Sequence, residues 1–155
     1  EVPEGSRQSK GMNIANLLPI ASDEKVTSMI RVPEFDEEKY IVMVTKQGII
    51  KRISLNAYNT ARKGGLIALE LNEGDELAWV RLTDGNQQVI VATKNGLAIR
   101  FEETDVRPMG RQARGVKAIS LREGDCVVGM CVVTNDDLIL TASETGFGRI
   151  SNVSD

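Results

Sequence analysis

An all-β fold, built from tandem units of about 50 residues, is expected from three observations. The tetrapeptide Thr45-Lys46-Gln47-Gly48 returns as Thr93-Lys94-Asn95-Gly96 and, weakened, as Ser143-Glu144-Thr145-Gly146, 48 and then 50 residues later. Other marks keep the same beat: LNEGDEL at 71–77 answers LREGDCV at 121–127, and GGLIALEL at 64–71 answers RGVKAISL at 114–121. Apolar runs of five to eight residues stand between turn signals, and no stretch of 12 residues carries a clean helical period. A period of this length suits a propeller blade of about four strands and is too long for ankyrin or tetratricopeptide units.

The units run over about 2–48, 49–96 and 97–146, with the start of another at 147–155, and a fainter copy of GGLIALEL, KGMNIANL, stands at 10–17. In the second unit Leu66–Leu71 is a short apolar stretch and Asn72-Glu73-Gly74-Asp75 a turn. Glu76–Leu82 follows as a β-branched and aromatic strand in which Trp79 is expected in the core. Asp84-Gly85 is a favoured hairpin pair. Val89–Thr93, apolar on both faces, reads as a central strand; Asn95-Gly96 is a second hairpin signal before Leu97–Phe101. The third unit repeats this with Val116–Leu121, Val127–Val133, Leu138–Ala142 and Phe147–Ile150. Short helical turns are expected near Ser54–Tyr58 and Glu102–Val106.

Composition excludes several functions. The 155 residues are 41% apolar and 26% charged, enough to build a core. There is no His, so His-based triads, His general bases and His-ligated metals are out. No GxxxxGK[ST] or GxGxxG phosphate loop occurs. Glu34, Asp36, Glu37 and Glu38 lack calcium-loop spacing and read as a solvated turn. Aromatics at 4% argue against a stacking platform for single strands. No apolar run approaches a membrane span. Cys126 and Cys131 are an odd number of residues apart, which puts them on opposite faces of a strand, and they read as small buried apolar residues rather than a disulfide or metal pair. The chain begins at Glu1 without a Met, as a piece excised from a longer protein would.

The net charge of −3 conceals a sorted distribution. Between Ile41 and Leu69 there is no acid, but Lys46, Lys51, Arg52, Arg62 and Lys63 are present; between Val106 and Arg122 there is again no acid, with Arg107, Arg111, Arg114, Lys117 and Arg122. An irregular loop precedes the first apolar stretch of each unit, at Glu4–Gly11, Asn56–Gly65 and Thr104–Gly115. Loops recurring once per repeat lie along one rim, where Lys, Arg and glycine backbone can meet successive phosphates. The candidate contacts are Arg7, Lys10, Lys51, Arg52, Arg62, Lys63, Arg107, Arg111, Arg114 and Lys117, with Gly65 and Gly115 allowing close backbone approach.

LLPI at 17–20, RKGGLIAL at 62–69, DELAWVRLTDG at 75–85 and DVRPMGRQARGVKAISLREGD at 105–125 resemble the C-terminal DNA-wrapping domain of DNA gyrase A, of the type IIA topoisomerase family, over essentially the whole chain. The resemblance implies a β-pinwheel, a propeller-like ring of six blades around whose basic rim duplex DNA bends. It also implies a cytoplasmic parent heterotetramer of A and B subunits that adds negative supercoils using ATP and Mg bound elsewhere. This piece would hold no cofactor. The family's catalytic tyrosine lies in another domain, so Tyr40 and Tyr58 are not read as nucleophiles. The chain would cover most of blade two, blades three and four, and the first strand of blade five. Such an arc has open strand edges that invite edge-to-edge self-association. The family's basic heptapeptide Q-R-R-G-G-K-G has no match here; Arg62-Lys63-Gly64-Gly65 and Arg111–Gly115 echo it. The equivalent subunit of topoisomerase IV, and a propeller scaffold for protein partners, are the alternative readings.

Overall fold

The computed structural model describes residues 4, 6–11, 38–59, 70–134 and 137–152. Of the apolar stretch expected over Leu66–Leu71 all but Glu70 and Leu71, which lie in no strand, falls outside the described residues, as does most of the faint copy at 10–17. Nine strands are described: β1 (Tyr40–Thr45), β2 (Ile49–Ser54), β3 (Leu77–Thr83), β4 (Gln88–Thr93), β5 (Ala98–Glu102), β6 (Val116–Lys117), β7 (Val127–Val133), β8 (Leu138–Ala142) and β9 (Gly148–Asn152). Single 3-10 turns at Leu55–Tyr58 and Glu103–Asp105 fall where short helical turns are expected. Among the described residues no helix is long and apolar enough to cross a membrane.

The Thr-Lys-x-Gly mark is a hairpin device. In the β1–β2 turn the Thr45 hydroxyl accepts from Ile49 N (3.2 Å), Gly48 N donates to Thr45 O (3.1 Å), and Gly48 takes a φ of 82°, open only to glycine without strain. Thr93, Gly96 and Leu97 repeat these contacts at the β4–β5 turn, and Ser143, Gly146 and Phe147 repeat them at the β8–β9 turn. The Glu-Gly-Asp mark is the matching brace. Asp75 Oδ1 accepts from Gln47 N and Glu76 N, tying the entrance of β3 to the β1–β2 turn. Asp125 Oδ1 accepts from Asn95 N and Cys126 N in the same way. Burial alone would raise the Asp125 carboxyl. The hydrogen bonds from Thr93, Asn95 and Cys126, with the Arg122 charge, outweigh it and hold the group below its ordinary value.

The strands form three antiparallel sheets, ordered β3-β1-β2-β6, β5-β4-β7 and β8-β9. The first two are repeats in register as well as in sequence. β1 pairs with β3 through an irregularity at Val44/Thr45, and β4 pairs with β7 through one at Ala92/Thr93, 48 residues on. Val42, Val44 and Ile50 of the first sheet and Val89, Val91, Val127 and Met130 of the second form one buried cluster, closed by Val106. Trp79 and Phe101 pack against it half-buried.

Three expectations are corrected. Asp84-Gly85 is not a hairpin turn: β3 pairs with β1, while β4 pairs with β5 and β7, so the connection carries the chain from one sheet to the next. Gly85 still needs its φ of 92°, and a side chain there would meet the Tyr40 ring at 3.2 Å. The strand expected over Val116–Leu121 shortens to Val116–Lys117; beyond it Ile119 and Leu121 pack against Gly48 without a ladder. Cys131 is exposed rather than buried, and Cys126 is half-buried before β7 begins, so its side chain is not part of the strand's alternation.

Candidate nucleic-acid interface

The acid-free segment after β5 is laced along the free edge of β2. Val106 is buried, and its N donates to Glu103 O. Met109 N donates to Arg52 O (2.8 Å), and Pro108 bridges Arg52 in parallel sense. The chain then makes an excursion over 110–114, closed by Ala113 N on Gly110 O, and returns as β6 opposite Ile50 and Ile49. Ala118 N donates to Gly48 O (2.8 Å). The segment thus tracks β2 from Arg52 back to Gly48. Arg107, Arg114 and Lys117 are exposed along this edge and Arg111 is half-exposed.

Gly115 is the pivot of the return. Its φ is 95°, and a Cβ there would sit 2.6 Å from Ile50 O and 2.9 Å from an Ile49 side-chain carbon. The absence of a side chain serves packing against β2. Arg114 Nε lies 3.4 Å from Glu70 Oε2 in an exposed pair, worth little in water. Tyr58 is pushed up to about 12 by burial, with the Arg111 charge opposing the shift, which places Arg111 beside the 3-10 turn after β2.

The ten sequence candidates separate. Arg107, Arg111, Arg114 and Lys117 are brought together on one segment. Arg7 and Lys10 are exposed in a turn whose hydrogen bonds, Ser9 N and Oγ to Ser6 O, are local and do not tie it to that segment. Arg62 and Lys63 lie outside the described residues. Lys51 and Arg52 are corrected: their relative exposures are 0% and 6%, and neither reaches the surface. Lys51 Nζ donates to Arg111 O. Burial holds its ammonium below the ordinary lysine value. The Arg52 guanidinium lies 4.4 Å over the Tyr40 ring, with Nη1 3.6 Å from Glu103 Oε2. The signal for burial was present in the sequence, because both residues stand inside an apolar run between Ile49-Ile50 and Ile53.

Glu103 is the residue that sequence reasoning missed. It is 1% exposed, accepts from Thr83 Oγ1 and Gln87 N, and faces Arg52 from the second sheet. Its N donates to Gln87 O as Leu55 N donates to Lys39 O, 48 residues earlier, so it occupies a core position filled by leucine in the preceding unit. Counting along the repeat would have found it.

Comparison with known proteins agrees with this architecture. The DNA gyrase A protein of Staphylococcus epidermidis is 48% identical over 158 residues, covering 100% of this chain and 18% of that protein. The chain therefore spans under a fifth of the length of such relatives. The crystal structure of the C-terminal domain of DNA topoisomerase IV superposes with a TM-score of 0.83 at 33% identity, over 93% of this chain and 45% of that one. A structure of the DNA gyrase A C-terminal domain gives 0.81 at 28% identity, over 94% and 48%. The exchanged four-stranded sheet and the in-phase hairpins are thus those of a partial β-pinwheel. The family model of the DNA gyrase C-terminal domain, beta-propeller, matches residues 1–33, 39–84 and 87–134, and with that match the chain belongs to the gyrase A C-terminal domain family.

Proposed function

We propose that the chain is a duplex-DNA-binding and DNA-bending segment of a gyrase A protein, engaging phosphates without reading base sequence. The observation that supports this most is the segment over 107–117, which lines four cations along one sheet edge on a backbone pinned to β2. Phosphate neutralisation is the binding mode such a row supports, since residues 107–117 carry no aromatic stacking group. Arg7 and Lys10, with Arg62 and Lys63, are proposed to extend the row in neighbouring units. In the parent protein this segment would help wrap DNA for ATP-dependent negative supercoiling, together with the rest of gyrase A and its gyrase B partner. ATP and Mg would act there, outside this chain, and the parent would work in the cytoplasm. The chain alone is proposed to turn over neither DNA nor ATP.

If the four cations each displace one counterion, log K falls with log[salt] at a slope of about −3.6, roughly a 150-fold loss between 50 and 200 mM salt. The test is a mobility-shift titration of a ~40-bp duplex at several salt concentrations. Arg107→Glu with Lys117→Glu should weaken every duplex sequence alike and flatten the slope by about 1.8. Arg81→Glu, on the opposite edge strand β3, should do little. Equal losses from both would show diffuse charge attraction and end the edge assignment.

A further inference from the structure

Lys51 and Arg52 are consecutive in β2 and so point to opposite sides of the sheet, yet both are buried. The Arg52 side chain meets Glu103 and Tyr40. Lys51 reaches the other way and donates to the carbonyl of Arg111, in the middle of the excursion between the contacts at Met109 and Val116. A buried ammonium is a costly way to gain global stability, because an apolar residue of similar volume fills such a place at no desolvation penalty. Along the repeat the equivalent positions are Ile99 in β5, 37% exposed, and Arg149 in β9, also exposed, and neither strand has a laced segment on its edge among the described residues, so the buried lysine goes with the laced edge. What Lys51 has that Ile99 lacks is a donor long enough to hold the backbone of the cationic segment.

We propose that Lys51 is a positioning residue for duplex binding. Its buried ammonium fixes the main chain at Arg111, and so sets where the guanidinium groups of Arg111 and Arg114 stand, without itself touching a phosphate. This rests on the DNA reading above. It differs from a structural role in one consequence: loss of Lys51 should loosen the segment over 110–115 while the cluster of β1, β2, β4 and β7 stays as stable as before or becomes more so.

The experiment uses the full 155-residue chain with Lys51→Met, which keeps length but has no donor, and Lys51→Ile, the residue type at the equivalent position in β5. Three measurements are made on each: amide hydrogen exchange, thermal melting, and duplex titration at several salt concentrations. Exchange over 111–115, read at the Ala113 amide that donates to Gly110 O, should quicken at least about tenfold, the low end of what a hydrogen bond from a charged donor is worth, with exchange in β4 and β7 unchanged. The melt should stay level or rise. Duplex affinity should fall about three- to tenfold with the salt slope changed by less than the ~0.9 of one phosphate contact, since every exposed cation remains. Unchanged exchange over 111–115 in both variants would overturn the proposal. So would a slope reduced by a full contact with the segment still protected, because Lys51 would then touch phosphate directly. A lowered melt with faster exchange throughout the core would make Lys51 merely structural and overturn it too. A wild-type chain that binds no duplex, with the local exchange effect present, would defeat the DNA reading and leave the anchor itself standing.

Discussion

Glu103→Leu places at the second sheet the residue that its repeat partner Leu55 supplies at the first, so volume and strand geometry are suited to it. The change nevertheless strands the Arg52 guanidinium, which is 6% exposed and has Glu103 as its ion-pair partner. The Thr83 hydroxyl and the Gln87 amide lose their acceptor at the same time. Removing one partner of a buried pair costs about 3–5 kcal/mol, whereas replacing both by apolar groups is often close to neutral. In a chain of this size each kcal/mol moves the melting temperature by about 2–4 °C, so Glu103→Leu should melt roughly 6–20 °C lower. Urea unfolding should show the midpoint shift with its slope unchanged. Arg52→Leu combined with Glu103→Leu should recover most of the loss, giving a coupling energy of at least about 2 kcal/mol in the double-mutant cycle. A single-variant loss below about 1 kcal/mol, or two losses that simply add, would show that Arg52 and Glu103 do not depend on each other and refute the reasoning.

Gly115→Ala should cost more than about 2 kcal/mol, because a Cβ would meet Ile50 O at 2.6 Å in a left-handed backbone; Gly124→Ala, with φ 75° and open space around it, should cost only about 1 kcal/mol, and urea melts of the pair decide this. The lowered Asp125 carboxyl stabilises the fold at pH values above the unfolded aspartate range. That contribution is lost as pH falls through the depressed folded value, so the gap between wild type and Asp125→Ala should close on acidification; a gap constant down to about pH 2 would contradict the assignment. Cys131 should react with a thiol reagent in the native state and Cys126 more slowly, read by mass spectrometry after short exposure. The β8–β9 hairpin exposes Leu138, Leu140, Phe147 and Ile150, and β8 has no partner like those of β1 and β4 among the described residues. Concentration-dependent association in sedimentation, relieved by Leu140→Lys, is expected; a strict monomer at high concentration would exclude pairing of this edge.

Strand positions were legible because they are set locally. Val127–Val133 and Leu138–Ala142 match residue for residue, and the turn marks owe their form to a threonine hydroxyl and a positive-φ glycine three residues on. Pairing was not legible at Asp84-Gly85. The two residues specify a tight change of direction, but whether the next strand returns to the same sheet depends on β1 and β7, which are distant in sequence. The charge reading failed at Lys51 and Arg52 for a related reason. Absence of acids nearby says where cations gather, and a strand covered on both sides can hide them. Arg107, Arg111, Arg114 and Lys117 do stand at least partly exposed: Pro108 and two glycines keep 107–115 out of regular pairing, and Lys117 lies in the two-residue edge strand β6.

The passage of the chain between sheets bears on how the molecule is made. The first sheet begins at Tyr40, takes its third strand at Leu77–Thr83 and receives its last only at Val116–Lys117. A nascent chain leaving the ribosome therefore cannot complete that sheet until the second has been largely synthesised. Each closure spans tens of residues, and folding of such non-local pairings is slow. Until then the edge of β2 lies bare, with Ile49 and Ile50 beside it, and the waiting interval is when a holding chaperone would matter most. The same interlock restricts how repeat number can change during evolution. A cut at 48/49 would pass through the β1–β2 hairpin, and excising any one unit at that phase would break two sheets at once. Gain or loss of blades is tolerated only where the breakpoints keep every hairpin whole and leave each sheet a neighbour to lend it a strand.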